Sequence, residues 1–110
     1  MNSAEKFDSL LSLLNNIRRR KLLLGSGVEM SVQASSVHYS SPREDNVSYT
    51  HVEVGFPSKE IPELMEYIED SDSDPTTTVY AYVPVSVIMD IIVKHGGITK
   101  GDLVPMSFGK

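Results

Sequence analysis

The stretch VEMSVQASSVHYSSPREDNVSYTHVEVGFP, residues 28–57, decides how the rest of the chain is read. Near its start Met30, Val32 and Ala34 alternate with Ser31, Gln33 and Ser35; near its end Val52, Val54 and Phe56 alternate with His51, Glu53 and Gly55. Alternation at period two marks a strand with one apolar and one polar face. The spacing predicts two strands, 30–39 and 47–56, joined by a polar loop at 40–46 where Pro42, Asp45 and Asn46 are turn-formers. A one-residue slip would turn one apolar face to water, so the apolar faces must coincide. Pairing Met30 with Phe56, Val32 with Val54 and Ala34 with Val52 meets that condition. The same register places Gln33 opposite Glu53, Ser35 opposite His51, Val37 opposite Tyr49 and Tyr39 opposite Val47 on the far side.

Upstream, residues 3–24 read as an amphipathic helix, with Phe7, Leu10, Leu11, Leu14 and Ile17 at helical spacing. Arg18, Arg19, Arg20 and Lys21 suit the negative end of its dipole, and Gly25-Ser26-Gly27 follows as a stop and a joint. Leu13, Leu22, Leu23 and Leu24 fall off the stripe, so the helix has apolar surface to spare. Residues 1–27 are therefore read as an arm that could pair two copies, and residues 28–110 as the core domain.

Downstream, Ser58 is an N-cap for a second helix over 59–70, whose stripe of Ile61, Leu64, Met65 and Ile68 would cover Val52, Val54 and Phe56. Thr76 to Val83 is rich in β-branched and aromatic residues and reads as a third strand, with Val79, Ala81 and Val83 facing inward. Pro84 opens a third helix with Val87, Ile88, Ile91 and Ile92 buried, closed by His95 and Gly96-Gly97. The tail from Ile98 reads as a loop with an extended piece at 103–106. The expected fold is a small α+β domain of order α-ββ-α-β-α. A right-handed crossover would set the third strand parallel to the second. The result is a mixed three-stranded sheet, or four-stranded if the tail adds an edge, with helices packed on it.

The composition, 110 residues with 40% hydrophobic and 23% charged, is that of a single globular domain. The absence of cysteine removes disulfides, thiolate nucleophiles and cysteine-based zinc sites. No apolar run approaches the roughly 20 residues of a membrane span, and the first residues lack the pattern of a signal peptide, so a cytoplasmic location is expected. A net charge of −5 argues against tracking nucleic-acid phosphates.

Catalytic signals are sparse. His51 and Glu53, two apart on one strand face, form the one acid–base pair an enzyme could use. No Gly-x-Ser-x-Gly elbow occurs. Asp70, Asp72 and Asp74 have the opening spacing of a calcium loop, but Pro75 stands at its glycine position and Ala81 at its closing glutamate, so a solvated turn is expected and no metal or cofactor. One constellation stands out. With the inner face fixed, Tyr39, Tyr49, Tyr80 and Tyr82 fall on the outer side of the sheet, with Arg43 and His51 at the margin. Tyrosine gives large amphipathic contact area and is enriched at interfaces. The expected function is a non-enzymatic regulatory module, an inhibitor or adaptor, that binds a protein partner through this face and forms a homodimer through its N-terminal helix. Two other readings compete with it: the first helix covers the tyrosines, making them core, or the rings hold a nucleotide or metabolite with Arg43 on its anion.

Overall fold

The structure, a computed structural model, describes residues 19–108. Most of the helix expected over 3–24 lies outside that range. Its last turn is not helical: Leu22–Leu24 form a strand, β1. Leu22 and Leu24 are buried and Leu23 is half-buried, the period-two pattern that three consecutive leucines can also satisfy. Gly25-Ser26-Gly27 is therefore a hairpin turn. Leu24 N–H donates to Val28 O at 2.9 Å, and Gly27, at φ 94°, donates its N–H back to Leu24 O. The chain returns as β2, Glu29–Gln33, antiparallel to β1.

β2 pairs antiparallel with β3, His51–Gly55, in the expected register: Ser31 opposite Gly55, Val32 opposite Val54, Gln33 opposite Glu53. The ladder ends there. Residues 34–50 are a long loop in place of the expected strand extensions, and Ser41 replaces Ser35 opposite His51. The loop is held by its own short polar side chains. Ser40 Oγ donates to Ser35 O, and Asp45 Oδ1 accepts the Ser36 N–H at 2.8 Å. That bond holds the Asp45 carboxyl below its ordinary range. Serines compete with the ladder for backbone partners, which is why alternation beyond Gln33 did not become strand.

The largest departure follows β3. The expected helix over 59–70 is one 3-10 segment, Pro62–Tyr67, with Ile61 in an extended conformation before it. Pro62 permits a first turn but fixes its own φ and lacks an N–H, and 3-10 runs stay short. Without a crossover helix the chain cannot climb back to a parallel start. Strand β4, Val79–Pro84, runs antiparallel to β3 instead. Among the described residues the last helix, α1 at Val85–Lys94, forms as expected; it buries Ile88, Ile91 and Ile92, with Val85 buried in place of the half-buried Val87. Gly97 N–H reaches Ile92 O at 2.8 Å and Gly96 N–H reaches Val93 O at 3.2 Å, the paired closure of a Schellman cap. The tail adds β5 at Ile98–Lys100 beside β1, while Met106 bridges Tyr49. The sheet has five antiparallel strands, ordered β4-β3-β2-β1-β5. The α-ββ-α-β-α arrangement around a mixed three-stranded sheet is thereby corrected to a mostly-sheet domain with one α-helix among the described residues. Among the described residues no helix is long and apolar enough to cross a membrane.

The core lies between the sheet and the α1 and 3-10 segments, with Val32, Val52, Val54, Leu64, Ile88 and Ile91 fully buried. Lys94 Nζ meets Glu63 Oε2 at 3.0 Å and ties the two segments together. At the far edge Arg20 grips Asp102: Nε and Nη2 donate to its carboxylate at 3.0 and 3.2 Å.

Two predictions follow from these contacts. Gly101 sits at φ 104°, where an added methyl would overlap the Lys21 carbonyl and stand 2.8 Å from Leu22 Cα. Gly101→Ala is expected to lose at least about 2 kcal/mol in urea unfolding, from strain and forced displacement of β1. The Lys94 hydrogen bond holds the Glu63 carboxyl below its ordinary 4.5. A depressed folded-state value contributes stability above the unfolded value and loses it as pH falls through the folded one. Lys94→Met should therefore cost up to about 1 kcal/mol at pH 7, an exposed pair being worth little more. Its unfolding curve should converge on the parent's as the pH drops below the carboxylate range.

Candidate functional site

β4 breaks regular pairing at one place. Val52 pairs with Val83 and Val54 with Tyr80, so Ala81 and Tyr82 together oppose Glu53. This extra residue is a β-bulge, which bends a strand and re-aims a side chain. Tyr82 takes φ 53°, a left-handed conformation that costs an L-residue with a side chain roughly 1–2 kcal/mol. The residue is 45% exposed. Its ring lies 5.9 Å from the Tyr39 ring, tilted 45°, and the Arg43 guanidinium stands 5.5 Å over Tyr39's centre. Such a cation–π contact contributes about 0.5–1 kcal/mol at an exposed site. Two hydrogen bonds from backbone N–H groups hold the group in place: Tyr82 N–H donates to Tyr39 O at 3.2 Å, and Tyr39 N–H donates to the Glu53 side chain at Oε1, 3.1 Å.

Tyr39, Arg43 and Tyr82 therefore converge, and the other three residues expected beside them do not. Tyr49 and Tyr80 are fully buried. Each hydroxyl donates to the backbone carbonyl five residues earlier, Tyr49 to Glu44 O and Tyr80 to Pro75 O, closing the loop that leads into it. Burial pushes the Tyr80 hydroxyl pKa up, and Glu60 and Asp74 add to that. The bulge explains Tyr80. Alternation run backwards from Val83 puts residue 80 outside, and the inserted residue brings it inside. Tyr49 turns inward because the loop replaces the strand that would have carried it outward.

His51 lines a different cleft, of about 400 Å³, with Thr50, Ser86, Ser107 and Phe108. Its Nδ1 is 2.9 Å from Thr50 Oγ1, while Glu53 is engaged with Tyr39, so no hydrogen bond or ion pair joins the expected acid–base couple. The Asp70–Asp74 turn folds on itself. Asp70 accepts from Asp72 N–H and Ser73 Oγ, Asp74 accepts from Thr76, and both carboxyls are held below their ordinary range by these bonds. No group of three metal-ligating side chains occurs among the described residues.

A further cleft, of about 430 Å³, opens beside this cluster on the polar face of β2 and β3. Arg19, Arg20 and Lys21 form part of its wall, and Phe56 is another. Gln33 holds the basic segment there as a strand partner would: its Oε1 accepts Arg19 N–H at 2.7 Å and its Nε2 donates to Arg19 O at 2.6 Å. Phe56 was expected in the core opposite Met30; it is 51% exposed, at φ 49°. The basic residues were expected at a helix end. No sequence signal marks a left-handed phenylalanine, whereas the Leu-Leu-Leu-Gly-Ser-Gly run could have been read as a hairpin.

No family model matches this chain, and neither does any curated protein or solved structure.

The strain at Tyr82 can be measured directly. Only glycine is relaxed at φ 53°, so Tyr82→Gly should exceed Tyr82→Ala in stability by about 1 kcal/mol. Urea unfolding reads the difference, and equal midpoints would mean that the residue does not sit in the left-handed region.

Proposed function

We propose that this protein is a small non-enzymatic binding module, an inhibitor or adaptor, whose protein partner contacts Tyr39, Arg43 and Tyr82. The observation that carries this reading is Tyr82. A bulge and a left-handed backbone keep a large aromatic ring in solvent, where a smaller residue or a regular strand would cost less. Strain of this kind collects at functional positions because the surrounding fold must be spent on maintaining it. The chemistry suits protein recognition. Two tilted tyrosines and a guanidinium supply flat amphipathic area with few rotamers to freeze, the side-chain types that dominate binding hot spots.

Acid–base catalysis gains no support, since His51 and Glu53 are each engaged elsewhere. The homodimer expected through the N-terminal helix rests on residues outside the described ones, and a second copy remains a candidate partner for the tyrosine surface.

The test uses the tagged chain as bait in host lysate supplemented with the untagged chain, in parallel with a Tyr39→Ser/Tyr82→Gly variant whose circular dichroism matches the parent. A protein, or the untagged copy, retained by the parent and lost from the variant is the expected result. Equal retention by both, or by neither, refutes the assignment of the surface.

A further inference from the structure

The sheet buries its inner face under α1 and the 3-10 segment, with Val52, Val54, Leu64, Ile88 and Ile91 fully buried there. Among the described residues no helix covers the outer face. Two large rings stand out on that side, Phe56 at 51% and Tyr82 at 45% exposure. Each has a left-handed backbone without the burial that would offset it. Glu53 lies between them: Phe56 is three residues further along the chain, and Tyr82 opposes Glu53 from β4. Strand spacings put the two residues about 11 Å apart.

Residues 1–18 lie outside the described ones, and the anchoring of Arg19 fixes the face on which they join the sheet. Gln33, an outer-face residue, accepts Arg19 N–H at 2.7 Å and donates Nε2 to Arg19 O at 2.6 Å, while Arg19 Nη1 donates to Ala34 O at 3.1 Å. Gln33 is left only 7% exposed. Tyr82 is two strands from Gln33, across Glu53, or about 10 Å at sheet spacing. Before Arg19 the sequence carries Phe7, Leu10, Leu11, Leu14 and Ile17 at helical spacing. Eighteen residues of helix span about 27 Å, and the two turns from Phe7 to Leu14 span about 10.5 Å, close to the separation of Phe56 and Tyr82. A helix of this length is marginal alone in water and forms against an apolar surface.

We infer that residues 1–18 pack back across the outer face of their own sheet, with Phe7, Leu10, Leu11 and Leu14 against Phe56 and Tyr82. The contact takes both rings out of water and supplies the offset that their backbone strain lacks. It completes a second layer on a sheet that has one. Glu53 already accepts the Tyr39 N–H through Oε1, and Arg20 is paired with Asp102 at the far edge, so neither charge stands unengaged beneath the segment. The occupant is the chain's own segment because it starts on this face, and a short tether gives it a millimolar effective concentration that a separate copy does not reach in dilute solution. One consequence rests on the partner reading given above: the segment masks Tyr82, and it must lift before a protein can bind there.

Nuclear Overhauser spectra of the isotope-labelled whole chain, 12.2 kDa, test the contact without any substitution. The rings of Phe56 and Tyr82 should each show cross-peaks to side-chain protons of Phe7, Leu10, Leu11 or Leu14. A filtered spectrum of labelled and unlabelled chains mixed should show none of them, since the contact lies within one chain. Leu11→Asp/Leu14→Asp should shift both ring resonances and lower the melting temperature by at least about 4 °C. Ser12→Asp, on the opposite side of the helical stripe, should do neither. The inference fails if either ring lacks these cross-peaks, if they appear in the mixed sample, which would assign the surface to a second copy, or if the leucine variant behaves like Ser12→Asp. No partner takes part in these measurements, so the cover and the partner surface stand or fall separately.

Discussion

The pairing of Val32 with Val54 at the centre of the sheet is the constraint on which the rest of the structure depends. Both side chains are fully buried, and each such burial contributes about 1.5–3 kcal/mol. Because strand side chains alternate with period two, this one pair determines which face of β2 and β3 is core and which is not. Met30 and Val52 follow to the inside; Ser31, Gln33, Glu53 and Gly55 follow to the outside. β1 then pairs on one side and β4 on the other, each with its apolar residues turned to the same layer. The outer face is what remains, and Tyr82 reaches the surface from it.

That central register was legible in the sequence because it needs only alternation and a requirement that two apolar faces agree. α1 was legible for a similar reason: a strong stripe, a proline before it and two glycines after it all point the same way. What failed was everything that depended on competition. Leu22 to Leu24 satisfy helix and strand patterns equally, and partners in β2 and β5 decide for strand. Residues 59–70 carry a helical stripe, but a six-residue 3-10 turn already buries Ile61 and Leu64, and the missing helix length reverses the direction of β4. One wrong helix therefore cost the sheet its topology.

The candidate site shows the same division at the scale of single side chains. Tyrosine is equally at home in a core with its hydroxyl on a carbonyl and on a surface with its ring on a partner. Composition and alternation cannot separate the two. Tyr49 and Tyr80 took the first role because a loop and a bulge turned them inward, and Tyr39 and Tyr82 stayed at the surface. A bulge inserts one residue and inverts the face of everything before it, which no period-two reading can anticipate. Arg43 was found with this pair because it follows Tyr39 closely in the loop, so it needed no ladder register to arrive there.

Backbone strain sets a few exposed residues apart from the rest. Among the described residues three other than glycine have positive φ: Asn46, Phe56 and Tyr82. Asparagine tolerates this conformation through local hydrogen bonding, and Asn46 lies in a loop, so it calls for no further reason. Phe56 and Tyr82 have no such compensation, and both are large, aromatic and about half exposed. A domain stable by about 5–15 kcal/mol loses a noticeable fraction of that to two such residues. Burying the rings would offset the loss, yet each ring leaves a large share of that area in water. The unrecovered strain is what sets these two positions apart from scattered apolar residues such as Val37 and Val93, which are exposed in relaxed backbone and ask for no partner.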